Sequence, residues 1–372
     1  MKKKILIGTV NMEIGGIERT LIGLLKKINY KEYDVDLLLL KTNGDFMNEI
    51  PDSVNIITPY KSKFLERICN SNKIFRKIIK HILFNYYTAK FWINNKTNYD
   101  TAISYAGYYP FIDSYIINTN AKKKLIWVHT DLNYFYEHHK FYKIRFALTK
   151  NKYTKFDNIV CVSDSIKQKF IKFIPELEEK VKVQWNVIDI NKIDTKYPKL
   201  DGKIKLVSVG RLSEEKRFDK LIFVHKKLIN EGLDIKTYLV GDGEEINHIK
   251  ELINKFKVKD SFILLGKQLN VVDIIKQADL FVLTSDYEGL PTVLFESLEA
   301  NIPFVGTKIS GVKDIVSNIA PKNSCIIVNN NITDIYEGVK EALNGKVNKD
   351  FKFKIEDYNN KCLESFYKLL DK

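Results

Sequence analysis

Between residues 204 and 306 the sequence repeats one pattern: a short apolar run ends at a glycine or polar turn, then helical spacing begins. Ile204-Lys-Leu-Val-Ser-Val-Gly210 predicts a strand, and Phe218 to Glu231 a helix that stops at Gly232. Ile235–Gly241 and Phe262–Leu265 predict strands separated by a helix over Ile246–Phe256. Val271–Gln277 reads as a short helix, Leu280–Thr284 as a strand, Pro291–Ala300 as a helix and Phe304–Gly306 as a strand. Short apolar runs alternating with amphipathic helices predict a doubly wound parallel sheet. This is an α/β chain.

The first half alternates more loosely. Its strand candidates are Lys4–Val10, Val35–Leu40, Thr101–Tyr105, Lys124–His129 and Ile159–Ser163. A chain of 372 residues exceeds what one hydrophobic core usually serves, so two domains are expected. The polar stretch Val187–Lys203, which contains Pro198, is the expected boundary. The expected division is residues 1–187, residues 188–354 and a last amphipathic helix within 355–372. That helix, over Ile355–Leu370, has Tyr358, Cys362, Phe366 and Leu369 on one face.

Several classes are disfavoured. Cys69, Cys161, Cys325 and Cys362 are far apart, with no C-x-x-C pair, so neither a zinc site nor a disulfide framework is indicated. Reduced thiols and a cytoplasmic location follow. The start Met1-Lys-Lys-Lys resembles a signal peptide, but the apolar run after it is short and is broken by Asn11 and Glu13. No apolar run approaches a membrane span.

Three loops follow predicted strands in the second half, where open α/β sheets bind ligands. The first is Gly210-Arg-Leu-Ser-Glu-Glu-Lys216. Arg211 and Lys216 offer a planar fork and a mobile point charge to one anion. Glu214 and Glu215 lie between them, so a solvated charged loop is the competing reading. The second, Gly241-Asp-Gly243, is either a close backbone approach to a ligand or a plain turn. The third, Ser285-Asp-Tyr-Glu288-Gly-Leu-Pro-Thr292-Val-Leu-Phe-Glu296, passes from strand to loop to helix. Pro291 suits a first helical position. Free N–H groups near Thr292 would then make an anion site. Thr292, Glu296 and Glu299 fall on one helical face, with Leu294, Phe295 and Leu298 on the buried side. Glu296 would face a ligand about one turn below the phosphate.

Glu288-x₇-Glu296 resembles the E-x₇-E motif of the retaining glycosyltransferases of family 4, which have the GT-B fold. The order of glycine loop, Gly-Arg-Leu-x-x-x-Lys, Gly-Asp-Gly and Glu-Gly-Leu-Pro is similar to that family too. The match is close over about 204–316 and patchier over 1–186. The resemblance implies two Rossmann-like domains facing a central cleft, with the last helix crossing back to the first. It implies that Gly210, Arg211 and Lys216 hold the donor diphosphate, with Gly241 nearby. Glu288 and the backbone of Gly289, Leu290, Pro291 and Thr292 would contact the sugar and phosphate. Glu296 would bind the ribose, and the backbone at Lys267 and Gln268 would meet the base. Gly15 and Gly16, at the start of a helix, would face the diphosphate, and His129, at a strand's carboxyl end, would lie near the donor sugar. His129, Arg211, Lys216 and Glu288 are the implied catalytic groups.

The implied reaction moves a hexosyl group from a nucleotide diphosphate sugar, a UDP-sugar, to a hydroxyl of a glycan or lipid-linked acceptor, with retention and no metal or other cofactor. A bacterial surface polysaccharide or glycolipid is the expected product. A nucleotide-sugar 2-epimerase or a phosphorylase on the same fold is the alternative. Two metal readings are weak: Asp34-Val-Asp36 precedes an apolar run, and Glu137-His138-His139 places adjacent histidines apart on a helix.

Charge is uneven. Residues 1–186 carry 31 basic and 18 acidic side chains, against 29 and 28 in 187–372, so nearly all of the net +14 lies in the first half. Such asymmetry suggests an anionic partner. Lys61–Lys96 holds nine basic residues and one acid, Glu66, with Ile74, Ile78, Ile82 and Tyr86 spaced by four. The segment fits a basic amphipathic helix on an anionic membrane surface, which would make the protein peripheral on the inner face. A core-packing helix with a solvated basic face fits equally. A non-catalytic nucleic-acid binder would leave Glu288 and Glu296 unexplained, so no nucleic-acid partner is expected.

Overall fold

The computed structural model describes residues 2–13, 15–59, 91–93, 95–107, 109–130, 132, 150–190, 196–268 and 270–371. The chain forms two compact units, residues 1–189 with 360–372, and residues 190–359.

The first unit is built on a seven-stranded sheet. Its strands are β1 (Lys3–Thr9), β2 (Tyr33–Leu39), β3 (Val54–Ile57), β4 (Tyr99–Ser104), β5 (Ala121–Val128), β6 (Asn158–Cys161) and β7 (Val181–Val183), in spatial order 3-2-1-4-5-6-7. Every pairing is parallel. Among the described residues its helices include α1 (Gly16–Lys27), α2 (Pro110–Ile117) and α3 (Asp164–Phe173). The central strands are buried on both faces, hence their near-continuous runs such as Ile5-Leu-Ile and Leu37-Leu-Leu.

The second unit repeats the plan. Strands β8 (Ile204–Val209), β9 (Ile235–Val240), β10 (Phe262–Gly266), β11 (Leu280–Leu283), β12 (Phe304–Thr307) and β13 (Cys325–Val328) lie in spatial order 10-9-8-11-12-13, all parallel. Helices α4 (Phe218–Asn230), α5 (Ile246–Lys255), α6 (Val271–Ile275), α7 (Thr292–Glu299), α8 (Ser310–Asn318) and α9 (Ile332–Glu341) cover the sheet. The α4 helix shows the cause. Phe218, Leu221, Ile222, Val224, His225 and Leu228 recur at helical spacing and are buried in a core with Ile235, Leu239 and Phe262. It ends where Gly232 takes φ +86° and donates its N–H to Ile229 O.

The last helix, α10 (Ile355–Asp371), starts in the second unit and ends in the first. In the second, Ile355 N–H donates to the Glu299 carboxylate at 3.0 Å, and Tyr358 packs on Phe295. In the first, Tyr367 stacks on Tyr33, and Lys123 Nζ donates to Leu369 O at 2.5 Å. Among the described residues no helix is long and apolar enough to cross a membrane.

The sequence reading lacked β3, β7 and β13, and helices α2, α3, α8 and α9. The three strands lie at sheet edges and are only three or four residues long, so no long apolar run marks them. The basic segment Lys61–Lys96 falls mostly outside the described residues. At its end, Phe91 and Trp92 pack on Tyr115 and Tyr99, and Trp92 Nε1 donates to Tyr115 O.

Candidate functional site

In a 3-2-1-4-5-6 parallel sheet, the strand order reverses between the first and fourth strands, and the loops leaving them diverge to form a crevice. In the second unit those strands are β8 and β11, paired at Leu206–Leu280 and Val207–Phe281. Their exits are the Gly210–Arg217 and Thr284–Pro291 loops.

These loops are joined backbone to backbone. Asp286 N–H donates to Glu215 O at 2.8 Å, and Thr284 Oγ1 donates to Lys216 O at 2.8 Å. Lys216 is thereby gripped on both sides. Its ammonium donates to Glu288 Oε1 at 2.5 Å, and Ser285 Oγ donates to the same oxygen at 2.8 Å. Both side chains of the pair are largely covered, at 18% and 13% exposure. Lys216 and Glu288, 72 residues apart, thus share one point. Arg211 is exposed and makes no ion pair among the described residues.

The helix α7 opens beside this pair. Pro291 caps it, with φ −72° and ψ 92°, so it stands one place before the first helical position predicted for it. Its ψ is extended rather than helical, which excludes it from the helix. The N–H groups of Thr292 and Val293 therefore lack intrahelical acceptors and carry the positive end of the dipole. Gly311 brings the start of α8 against the same loop. A Cβ there would lie 2.6 Å from Gly289 O and 2.7 Å from Pro291 Cδ.

Glu296 departs from expectation. Burial runs continuously from Leu294 to Ser297 and Leu298, and Glu296 is only 2% exposed. On the predicted face Thr292 and Glu299 are half-buried and Glu296 between them is covered, because neighbouring elements reach more than one side of this helix. Glu299 accepts the Ile355 N–H instead.

The glycines divide differently from the sequence reading. Gly210 has no positive φ, and a Cβ on it would meet only side chains, at 3.3 Å and beyond. The strict requirement lies at Gly241, with φ +143°, where a Cβ would fall 1.8 Å from Gly210 O. Gly243 packs likewise on Leu212 O. The Gly-Asp-Gly loop therefore supports the Gly210 loop. Lys267 is exposed beyond Gly266, while Gln268 Nε2 donates to Leu265 O at 2.7 Å.

Sequence reasoning missed a second cluster behind the pair. Asp286 accepts from Lys220 Nζ at 2.6 Å, Asn330 Nδ2 at 2.8 Å and Arg217 Nη1 at 2.9 Å. Arg217 also forms a bidentate pair with Asp219. Burial pushes the Asp286 carboxyl up, but these hydrogen bonds outweigh it and hold the group below its ordinary pKa. The sole sequence signal was Lys220 within an otherwise apolar helix face.

In the first unit, Gly15 caps α1 with an extended backbone, and Gly16 opens it. A Cβ on Gly16 would meet nothing within 4 Å. Tyr105 Oη donates to Thr20 Oγ1 of that helix, and the Tyr105 and His129 rings lie 4.8 Å apart. His129 Nε2 bonds Tyr105 O at 2.9 Å, which makes Nε2 the protonated nitrogen and leaves Nδ1 an acceptor. Burial lowers its pKa to about 4, so the ring is neutral at physiological pH.

The Asp34–Asp36 motif is structural. Asp36 accepts from Tyr99 Oη at 2.6 Å and Asn55 Nδ2 at 2.8 Å. Glu137-His138-His139 lies outside the described residues. Among the described residues no three His, Cys, Asp or Glu side chains are grouped for a metal.

Comparison with known proteins adds the family. A model described as Glycosyltransferase Family 4 matches residues 14–192, and one described as Glycosyl transferases group 1 matches residues 189–359. The chain belongs to the family 4-type glycosyltransferases. An uncharacterised glycosyltransferase of Haemophilus influenzae is 27% identical to it over 361 residues, 92% of this chain and 91% of that one. An uncharacterised glycosyltransferase of Methanocaldococcus jannaschii is 30% identical over 199 residues. That match covers 51% of this glycosyltransferase and about half (49%) of the archaeal relative. The structure of Anabaena HepE in complex with UDP and glucose superposes with a TM-score of 0.73 at 17% identity, covering 98% of this chain and 99% of that one. The fold of this glycosyltransferase is GT-B.

Proposed function

We propose that this glycosyltransferase moves a hexosyl group from a UDP-sugar to a hydroxyl of a glycan or lipid-linked acceptor, with retention of anomeric configuration. The observation that carries the reading is the meeting of Lys216, Glu288 and the α7 N-terminus at the switch point of the second sheet. A diphosphate leaving group gains charge as the glycosidic bond breaks. Lys216, Arg211 and the free N–H groups of Thr292 and Val293 are suited to stabilise that charge, with the electrostatic role a divalent ion would otherwise fill. Glu288 takes the sugar hydroxyls and Glu296 the ribose. Gly241 holds the Gly210 loop in place, and the backbone at Lys267 and Gln268 meets the base.

Glu288 is engaged by an ammonium and a hydroxyl, an arrangement that suits binding better than nucleophilic attack. Front-face displacement, with the departing phosphate taking the acceptor proton, therefore fits better than a covalent intermediate. In the first unit, His129 offers Nδ1 as an acceptor to a sugar hydroxyl, and the N–H groups at Gly15 and Gly16 offer donors to an anion. An anionic membrane surface, met through Lys61–Lys96, is the proposed setting for a lipid-linked acceptor. HepE, whose structure holds UDP and glucose, supports the choice of a uridine donor.

The test is incubation with UDP-glucose, UDP-galactose and their N-acetyl forms, with and without a glycan acceptor and with excess EDTA. The expected result is an α-linked product that needs the acceptor and survives EDTA. Isomerised donor without acceptor would establish an epimerase instead, and phosphate-dependent sugar release a phosphorylase.

A further inference from the structure

We propose that Asp286 is a positioning residue for the donor site, holding Lys216 and Glu288 at the separation a diphosphate sugar requires. The inference rests on the donor reading above and adds a residue that touches neither diphosphate nor sugar.

The Lys216–Glu288 ion pair cannot itself be the device that fixes its members. A bound diphosphate draws the Lys216 ammonium, and sugar hydroxyls draw the Glu288 carboxylate, so the pair loosens when the site is occupied. Something outside the pair must then keep both residues in register. Asp286 is placed for this. Its N–H holds Glu215 O, one residue before Lys216, and its own chain reaches Glu288 two residues later.

The Asp286 carboxylate is held by three donors. Oδ1 accepts from Lys220 and Asn330, and Oδ2 accepts from Arg217. The Lys220 ammonium is also shared with Asn330 Oδ1 at 2.6 Å, and its side chain is only 8% exposed. Two cations, Arg217 and Lys220, face two carboxylates, Asp219 and Asp286. Charge and hydrogen-bonding capacity are used internally, which marks the cluster as a brace rather than a ligand site.

Arg217 gives an independent sign. It follows Lys216 directly and sits at φ 51°, ψ 44°, a left-handed conformation that disfavours any residue with a Cβ. Glycine would adopt it freely. Arginine occupies it, and its guanidinium bridges Asp219 and Asp286, so the side chain offsets the backbone strain. The left-handed turn sends the 216 and 217 side chains apart, one to Glu288 and the other to Asp286.

The experiment is a UDP titration and donor-turnover assay on the full chain, wild type, Arg217→Gly and Asp286→Asn, each with Lys216 and with Lys216→Ala. Arg217→Gly relieves the backbone strain, so it keeps the fold if Asp286→Asn does not. Expected is a kcat and UDP affinity each reduced about tenfold by either variant when Lys216 is present, and no further loss of affinity in the Lys216→Ala background. Full activity in Arg217→Gly, or affinity losses that add to that of Lys216→Ala, would overturn the inference. Absence of UDP binding by the wild type would instead overturn the donor reading on which it rests.

Discussion

Lys216 Nζ lies 2.5 Å from Glu288 Oε1, although the two residues lie on loops that leave different strands, β8 and β11. On the proposed reading, a diphosphate competes with the Glu288 carboxylate for the Lys216 ammonium. The Glu288→Gln variant should bind UDP about threefold to tenfold more tightly than wild type, since a neutral amide competes less well. It should also turn over a UDP-sugar more slowly. Calorimetry with UDP and a donor-consumption assay read the two effects, and weaker UDP binding would contradict the competition.

The ribose is the ligand proposed for Glu296. Glu296→Ala should weaken UDP binding by about 1–3 kcal/mol, because two ribose hydroxyls lose a charged acceptor. Affinity for inorganic pyrophosphate should be unchanged. The residue is 2% exposed, so an equal loss for both ligands would show that the substitution acts through packing instead.

The two glycine loops should respond oppositely to alanine. Gly241→Ala places a Cβ against Gly210 O at a positive φ, and should destabilise the protein by ~2 kcal/mol or more. Gly16→Ala adds a methyl group that meets nothing within 4 Å, so stability should hold. If an anion approaches the start of α1, turnover should still fall. Denaturant midpoints and kcat measured on both variants check this contrast.

His225 predicts an acid weakness in the second unit. The ring is fully buried, with Nδ1 2.8 Å from Thr237 Oγ1 and Nε2 2.9 Å from Ser261 Oγ. Burial is the main cause that lowers its pKa to about 4, from 6.5 for a free ring. Between these values the unfolded chain binds a proton that the folded chain refuses. Stability is therefore complete above pH 6.5 and falls as pH drops toward 4, by ~3 kcal/mol for this residue. Urea unfolding at pH 7 and pH 4.5 should show the loss, and a His225→Gln variant should show less of it.

Much of this fold was legible because each central strand is an apolar run ending at a turn, and periodicity needs no knowledge of contacts. The Gly210 and Ser285 loops were legible for the same reason, since they follow such strands. The brace around Asp286 was not. Its partners Arg217, Lys220 and Asn330 are 44 to 69 residues away, and no local pattern links them. The left-handed backbone at Arg217 had no glycine or asparagine to announce it. Likewise, the requirement at Gly241 arises from a carbonyl 31 residues earlier, which only the parallel pairing of β8 with β9 brings close. Glu296 was assigned to an open helix face by spacing alone, and spacing cannot tell what covers a second side.

If Lys216 holds a nucleotide diphosphate at the switch point of the second sheet, UDP affinity depends on its ammonium. Calorimetric titration of UDP into wild type and Lys216→Ala reads that dependence. Saturable one-site binding is expected of the wild type, weakened at least about tenfold by the substitution, since a charge-assisted contact to phosphate is lost. Equal UDP affinity in the two proteins, or none in the wild type, would contradict it.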